Sequence, residues 1–555
     1  MNLYAGIRRY IDLVRSGTVQ VCREQLQLCD LVEKAFAVED IHVDEAQAIR
    51  YLGLQKHFPF RLLEWEEFIF ILHNCVYRAD GQLRWPNLFV MVGRGAGKNG
   101  YLDFEDFALL TPVNGIRNYD IDIFATSEEQ AKTTFQDIWE ILEGNRLYFQ
   151  KYFEWTKECI TNKATNSRLR FHTSSAKTKD GGRPGKVDFD EYHAYEDSRL
   201  INVASTGLGK KKHPRKTIIT TQGDVRDGPL DKMLARAEKV LAGDLPDNGW
   251  LYFICRLDSD EEITKPEMWI KANPSLCDPN RPQLLEQIRL EYQEYLEDPA
   301  ANAAFATKRM NRPKSNLITA VTSWENIVAA SAPLPPAEFL YGRNAVGAVD
   351  YASTQDFVCA GVLIPVNGMY YWLQHSWVCA RSPTLSYIKF PIQEAEQRDE
   401  LTIVDAPEIN PDLPVAWLDE QREKYNLILT GIDHFRYTLL SKSFANFGFD
   451  PDRKNGNLKL TYTPEQSMVA PIIASAFLNH RICWGDCMIM RWYTNNATRL
   501  IDKRGNISFG KIEPKSRKTD GFMALVMAFI CAQLREDELI VSDSDTELPN
   551  VYIYA

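Results

Sequence analysis

Between residues 93 and 100 the chain reads Gly93-Arg94-Gly95-Ala96-Gly97-Lys98-Asn99-Gly100, directly after the apolar run NLFVMV (87–92). A strand, a loop of small residues and a helix start bring backbone N–H groups and the positive end of a helix around a triphosphate. Lys98 then reaches the β and γ phosphates, and Arg94 adds positive charge at the group in transfer. The loop departs from the standard Walker A pattern: Val92 stands where the first glycine belongs, and Asn99 replaces the Ser or Thr whose hydroxyl binds Mg²⁺. Alone, it reads equally well as a structural turn. Two further motifs change that balance. Lys186-Val187-Asp188-Phe189-Asp190-Glu191 reads as a strand ending in paired acids, with Asp190 placed to hold Mg²⁺ through water and Glu191 to polarise the attacking water. Thr220-Thr221-Gln222-Gly223 ends the next apolar run, where Thr221 and Gln222 would sit beside the γ-phosphate and report its hydrolysis. Ligands of open α/β sheets bind at the carboxyl ends of strands, and all three motifs fall at such ends. The chemistry this predicts is ATP hydrolysis.

A second constellation lies in the other half. Asp350 ends or sits within the strand AVGAVDYAS, Asp433 ends LILTGIDHF, and Asp520 begins the apolar helix of KSRKTDGFMALVMA. Three carboxylates on two strands and a helix start can meet at a pair of divalent metals. Hard oxygen donors suit Mg²⁺ or Mn²⁺, and a two-metal site activates water and stabilises the leaving oxygen of a phosphodiester. This is the arrangement of the ribonuclease H-like nuclease fold. Each acid also has a plainer reading, facing water at a strand end or, for Asp520, capping a helix. Asp356 is an alternative ligand, and Lys515 and Lys518 beside Asp520 are candidates for phosphate contacts.

The elements needed to position these groups are legible. Residues 1–60 show helical spacing, as in QVCREQLQLCDLVEKAF. Over 61–255 the runs NLFVMV, IDIFAT, RLRFHT, KVDFD and KTIITT alternate with helical stretches, and Ser127-Glu128-Glu129-Gln130 forms a capping box for one of them. That alternation predicts an α/β fold, a P-loop NTPase domain with a mainly parallel sheet. Prolines at 266, 274, 279, 282 and 313 break the segment 256–336, read as a linker or lid that ends in SAPLPP. From 337 to 535 consecutive strands lead, two of them joined by Asn367-Gly368, a strong hairpin signal. Helices and strands then mix, a ribonuclease H-like mixed α/β layout. Residues 536–555 read as an acidic mobile tail.

Composition bounds the partners. The chain has 555 residues, with 45% hydrophobic and 25% charged, enough for two cores. A net charge of -11 argues against indiscriminate coating of nucleic acid and leaves local basic loops, Lys210–Lys216 and Lys511–Lys518, as candidate contacts. The 11 cysteines are scattered without zinc-site spacing and read as reduced thiols in a cytosolic chain. No apolar run is long enough to span a bilayer.

The ordered set GRGAGKN, DFDEYHAY (with His193), TTQG and a C-terminal ribonuclease H-like half resembles the terminase large subunit of tailed double-stranded DNA phages, over roughly residues 60–535. The segments WIKANPSL and FATKRMN look like that family's connector before the nuclease. The resemblance implies ATP-driven translocation of double-stranded DNA into a procapsid and endonucleolytic cutting of the concatemer. It also implies a small terminase subunit and a portal protein as partners, a homo-oligomeric ring on the procapsid, no membrane, and residence in the host cytoplasm rather than the mature virion. Carried over, Arg94, Lys98, Asp190 and Glu191 serve hydrolysis, Thr221 and Gln222 serve coupling, and Asp350, Asp433 and Asp520 bind metal. Where the family often has a Gln that reads adenine, LLEWEEF offers Glu66 and Glu67 instead. An ATP-dependent nuclease or helicase-like protein of defence or repair, without a capsid partner, is the nearest alternative.

Overall fold

The computed structural model describes residues 4–172, 183–195, 197–299, 301–313, 320–352, 357–382, 385–388, 390–452, 456–501, 505–512 and 516–540. The chain divides into two compact units, Met1–Lys314 and Ser315–Ala555. Among the described residues no helix is long and apolar enough to cross a membrane. All 11 cysteines are free thiols, and most are buried.

The first unit opens with helices Ala5–Arg15, Arg23–Val38 and Glu45–Leu52 and a two-stranded ribbon, β1 (Ile41–Val43) with β2 (Val76–Arg78). Its main sheet is built from β3 (Asn87–Met91), β4 (Ile121–Phe124), β5 (Phe153–Trp155), β6 (Ile160–Asn162), β7 (Arg168–His172), β8 (Lys186–Phe189), β9 (Arg215–Thr220) and β10 (Trp250–Ile254). The order is β10-β3-β9-β8-β4-β7-β6-β5. Every pair from β10 to β7 is parallel, and only the β7–β6–β5 edge runs antiparallel. Central parallel strands are covered on both faces and therefore carry unbroken apolar runs: Leu88 to Val92 are all fully buried. Ser127 caps the helix Glu128–Gly144 by accepting the Gln130 N–H, as its capping signature predicts.

Beneath the sheet's central strands lies a fully buried ion cluster. The Lys186 Nζ, on β8, reaches Asp188 Oδ1 at 2.7 Å on its own strand, and Glu105 Oε2 at 2.9 Å and Asp106 on the helix Lys98–Leu110. Glu105 also accepts from Asn74 and from Thr217 on β9. The loop helix is thus fastened to the two strands that carry the other motifs.

Residues 256–313, read from sequence as part of a linker or lid, belong to the first unit and close over the glycine loop. The reason is hydrogen bonding by the main chain. Gly93 N–H donates to Ala272 O at 2.7 Å and Arg94 N–H to Lys308 O at 2.8 Å. Asn273, fully buried, donates to Arg309 O, and Asn311, also fully buried, donates to Cys255 O at 2.7 Å and accepts the Gln222 N–H at 2.8 Å. The helix Pro282–Glu297 supplies Glu291, which pairs with Arg309.

The second unit holds β11 (Asn344–Asp350), β12 (Val358–Val366), β13 (Met369–Cys379), β14 (Leu401–Val404), β15 (Asn426–Asp433), β16 (Leu458–Thr461) and β17 (Ile482–Cys483). Their order is β14-β13-β12-β11-β15-β16, with β17 beside β13. The three leading strands are antiparallel, and β15 and β16 add in parallel. Asn367 and Gly368, both at positive φ, form the β12–β13 turn as a two-residue hairpin of this type requires. A small ribbon, β18 (Ala497–Ile501) with β19 (Ile507–Lys511), precedes the helix Asp520–Leu534, which is apolar nearly all round and buried; a short helix, Glu536–Ile540, follows it at the start of the stretch read as a mobile tail, with Leu539 buried.

Lys186→Met should lower the first unit's resistance to urea, since removing one partner of a buried ion cluster costs roughly 3–5 kcal/mol. The loss should be larger at pH 8 than at pH 6, because the stranded carboxyls escape the cost by protonating. A midpoint equal to the parent's at pH 8 would show that the cluster contributes nothing. Gly93→Ala should loosen 256–313, because a Cβ there meets Asn273 and Arg309 O, neither of which has room to yield. Faster proteolytic cleavage within 256–313 is the expected readout.

Candidate functional site

The three motifs of the first unit end adjacent strands. β9, which leads into Thr220–Gln222, lies between β3 with the glycine loop and β8 with Asp190 and Glu191. Gly95 and Gly97 hold φ of 76° and 98°, the left-handed region open to glycine, and this turns the chain from β3 into the helix at Lys98. Because Gly93, Arg94 and Ala96 give their N–H groups to protein carbonyls, the amides left for a phosphate are those of Gly95 and Gly97 and of the first helical turn from Lys98 and Asn99, where no intrahelical acceptor exists. Ala96 donates back to Gly93 O, while Ser275 bonds Ala96 O and Arg309 bonds Arg94 O.

Lys98 is buried, and its Nζ lies 2.6 Å from Glu191 Oε1, 3.1 Å from Asp190 Oδ1 and 3.0 Å from Asn99 Oδ1. Burial pulls the ammonium's pKa down, but the two carboxylates outweigh it and hold it above the ordinary lysine value. Burial raises Asp190. It works against charged Glu191 too, yet Lys98 and His193 prevail and keep that carboxyl below its usual range. Glu191 has φ 48°, an uncommon conformation for a side-chain-bearing residue. The turn is held by the Glu191 N–H donating to Asp190 Oδ1 at 2.7 Å. Glu66, almost fully buried beside Gly97, is pushed up to about 7 by burial, while Glu67 pairs with Arg9 at the surface.

His193 links these acids to the neighbouring strand end. Its Nδ1 lies 3.1 Å from Glu191 Oε2 and 3.2 Å from Thr220 Oγ1, and its main-chain N–H donates to Thr220 Oγ1 at 2.9 Å. Gly223 packs on the ring so closely that a Cβ would collide with it. Thr221 and Gln222 are buried behind this contact, with the Gln222 amide on Asn311. Sequence reading noted His193 only within a motif and missed Asn273, Ser275 and Asn311, whose signal was the short polar pattern of WIKANPSL and FATKRMN.

In the second unit β11 and β15 are parallel, with Val349 opposite Ile432, so Asp350 and Asp433 finish neighbouring strands side by side. Asp520, 2% exposed, opens the helix Asp520–Leu534. The Cys359 thiol, opposite Asp350 on β12, is raised first by burial and further by Asp350 and Asp520. Among the described residues no three His, Cys, Asp or Glu side chains are closed into a cage for an ion. Carboxylate oxygens are nonetheless the donors a magnesium-class cation takes. Asp433 caps its own helix, His434–Asn446, by accepting the Phe435 N–H with Oδ1 at 2.9 Å, while Asp520 is the first residue of its helix, after Thr519. Asp356 and Lys515 lie outside the described residues. Lys518 is 3% exposed, which does not suit a surface contact to phosphate. Within Lys210–Lys216, likewise, Arg215 is core, bonded to the Tyr119 hydroxyl at 2.8 Å, so only Lys210 to Lys212 remain of that basic loop.

Comparison with known proteins finds one profile for each activity; the two part between residues 239 and 244, ahead of the 256–313 segment that packs on the first unit. The profile of the terminase large subunit ATPase domain matches residues 64–239, and that of the terminase large subunit endonuclease domain matches 244–403; together they span more than half of the chain. The terminase large subunit of Lactococcus phage SK1 is 23% identical over 471 residues, 82% of each chain. Protein YmfN of Escherichia coli (strain K12) is 25% identical over 383 residues, 66% of this chain and 81% of the relative. The crystal structure of the HK97 bacteriophage large terminase, at 17% identity and a TM-score of 0.47, covers 88% of this chain and 100% of that one. Both profiles are of the packaging enzyme and neither is of a helicase-like repair or defence nuclease. The chain therefore belongs to the terminase large subunit family, the ATP-hydrolysing and DNA-cutting subunit of a phage DNA-packaging motor.

Proposed function

We propose that hydrolysis and cutting are assigned to the two sites described above. The observation that supports the first assignment is the Lys98 ammonium held between Asp190 and Glu191 across the ends of β3 and β8. A lysine so placed can exchange its carboxylate partners for the β and γ phosphates of ATP, which frees Glu191, with His193 still beside it, to take a proton from water. Gly95, Ala96, Gly97 and Asn99 line the phosphates, with Gly93 and Arg94 anchoring the loop through their main chains and the exposed Arg94 side chain adding positive charge. Asp190 would hold magnesium at this site, and Asp350, Asp433 and Asp520 would hold magnesium or manganese at the other. Bound metal supplies charge neutralisation for phosphate and lowers the pKa of water. His193, bonded to both Glu191 and Thr220, makes the carboxylate's position depend on the Thr220–Gln222 strand end, and through Asn311 on the 305–311 segment.

Double-stranded DNA is what ATP hydrolysis moves and what the nuclease cuts. The proposed partners are a small terminase subunit, a portal ring and further copies of this chain in a ring on the procapsid, in the host cytoplasm.

Lys98→Ala should abolish ATP hydrolysis and packaging into purified procapsids yet leave metal-dependent cutting of plasmid DNA. Asp350→Ala should do the reverse. One substitution that removes both activities from a folded protein would sink the two-site assignment. His193→Ala should lower kcat for ATP on the order of tenfold or more, about 1.4 kcal/mol of barrier, with nucleotide Kd unchanged. His193→Gln, which keeps a hydrogen-bonding group, should recover part of the loss; a change in Kd alone would contradict the positioning role.

A further inference from the structure

At the ends of β15 and β16, beside Asp433, three aromatic rings form a ledge. Phe435 is 81% exposed, the most exposed of the large apolar side chains among the described residues of the second unit. Its ring stacks on His434, with centroids 5.6 Å apart and planes at 16°. His434 in turn meets Tyr462 edge to face at 4.8 Å, and Tyr462 is 43% exposed. Both ends of the ledge are fixed by main-chain caps. Asp433 Oδ1 accepts the Phe435 N–H, and Glu465 Oε2 accepts the Tyr462 N–H at 2.7 Å. Because Asp433 is in register with Thr461 on β16, the two halves of the ledge leave the sheet at the same edge, next to the carboxylates of Asp350 and Asp433.

The helix His434–Asn446 buries its other face through Leu440, Ser443 and Phe444, so folding does not require an aromatic at 435. Cations stand beside the ledge: Lys459 Nζ, paired with Glu465 Oε1 at 2.7 Å, sits 5.8 Å over the Tyr462 ring, and Arg436 and Lys442 are exposed on the helix His434–Asn446. Aromatic faces flanked by cations are what unstacked nucleobases and their phosphates bind, independently of sequence. A protein partner would use the rings equally well. It would not account for their place at the lip of a phosphodiester-cutting site in a family that acts on DNA.

We infer that the His434–Phe435–Tyr462 ledge stacks on nucleobases lifted from the helix at the cut, so that this nuclease works on locally unstacked duplex. The inference rests on the assignment of Asp350 and Asp433 to the nuclease.

The test uses the full chain, Mg²⁺, and two substrates: a paired duplex and the same duplex with a central mismatched bubble. Phe435→Ala should cut the paired duplex roughly tenfold more slowly, the scale of one lost base stack. On the bubble, where unstacking is already done, it should cut within about threefold of the parent. Phe435→Trp should keep the parental rate on both, ATP hydrolysis should be unchanged in either variant, and near-parental cutting of the bubble reports a folded second unit. Parental cutting of the paired duplex by Phe435→Ala would overturn the ledge, as would an equal loss on both substrates. Parental cutting accompanied by altered self-association in sedimentation would make the ledge a protein contact, and overturn it as well. Asp350→Ala, measured alongside, must abolish cutting of both substrates. If it does not, the metal-site reading has failed, independently of what Phe435 shows.

Discussion

Everything at the nucleotide end of this chain depends on one buried ammonium group that is not itself at the site. Lys186 holds Asp188 on its own strand and Glu105 and Asp106 on the glycine-loop helix, all without solvent. Two covalently distant pieces, the helix that begins at Lys98 and the strand that ends at Asp190, are thereby locked in depth relative to each other. Only with that depth set can Lys98 reach both Asp190 and Glu191 from across β9. A buried charge this well surrounded is weak evidence of net stability, because desolvation offsets most of the attraction. Its worth here is geometric: it excludes alternative registers of helix on sheet, which an apolar contact of the same size would tolerate.

The glycine loop shows how a weak motif becomes a rigid one. A loop with Val92 in place of a glycine and no Ser or Thr after the lysine has little of its own to define it. The missing definition is supplied by 272–275 and 308–311, which take the Gly93 and Arg94 amides and crowd Gly93 so closely that no Cβ fits. The same segment pins the Gln222 amide through Asn311. Loop and strand end therefore share one support, and a shift in either is felt by the residues that precede the second unit in the chain.

Sequence made part of this legible. Alternating apolar runs and helical stretches gave the parallel sheet, Asn367-Gly368 gave the hairpin, and strand-end acids gave both candidate sites, because each of these is written in local spacing. The role of 256–313 was not readable. Proline-rich, weakly periodic chain looks like a linker when its hydrogen-bond partners lie hundreds of residues away, as Asn273 and Arg309 do from the loop they hold. Arg215 and Lys518 misled for a related reason: composition marks them as surface cations, whereas a tyrosine hydroxyl beside one and close packing around the other put both in the interior. Capping at Asp433 was not readable either, because spacing alone does not show that its Oδ1 accepts the Phe435 N–H.

That last detail bears on the nuclease half. Asp433 accepts the Phe435 amide with one oxygen, which fixes its side chain at the sheet edge and leaves the other oxygen as its second donor. A carboxylate already oriented by the main chain loses less side-chain freedom on meeting a cation than one that swings free, so capping and metal binding are not competing readings of the residue. The same hydrogen bond turns the first residues of the following helix outward, and this is why Phe435 stands in solvent. One interaction thus orients a candidate metal ligand and displays the ring beside it, tying the chemistry of cutting to whatever the ring touches.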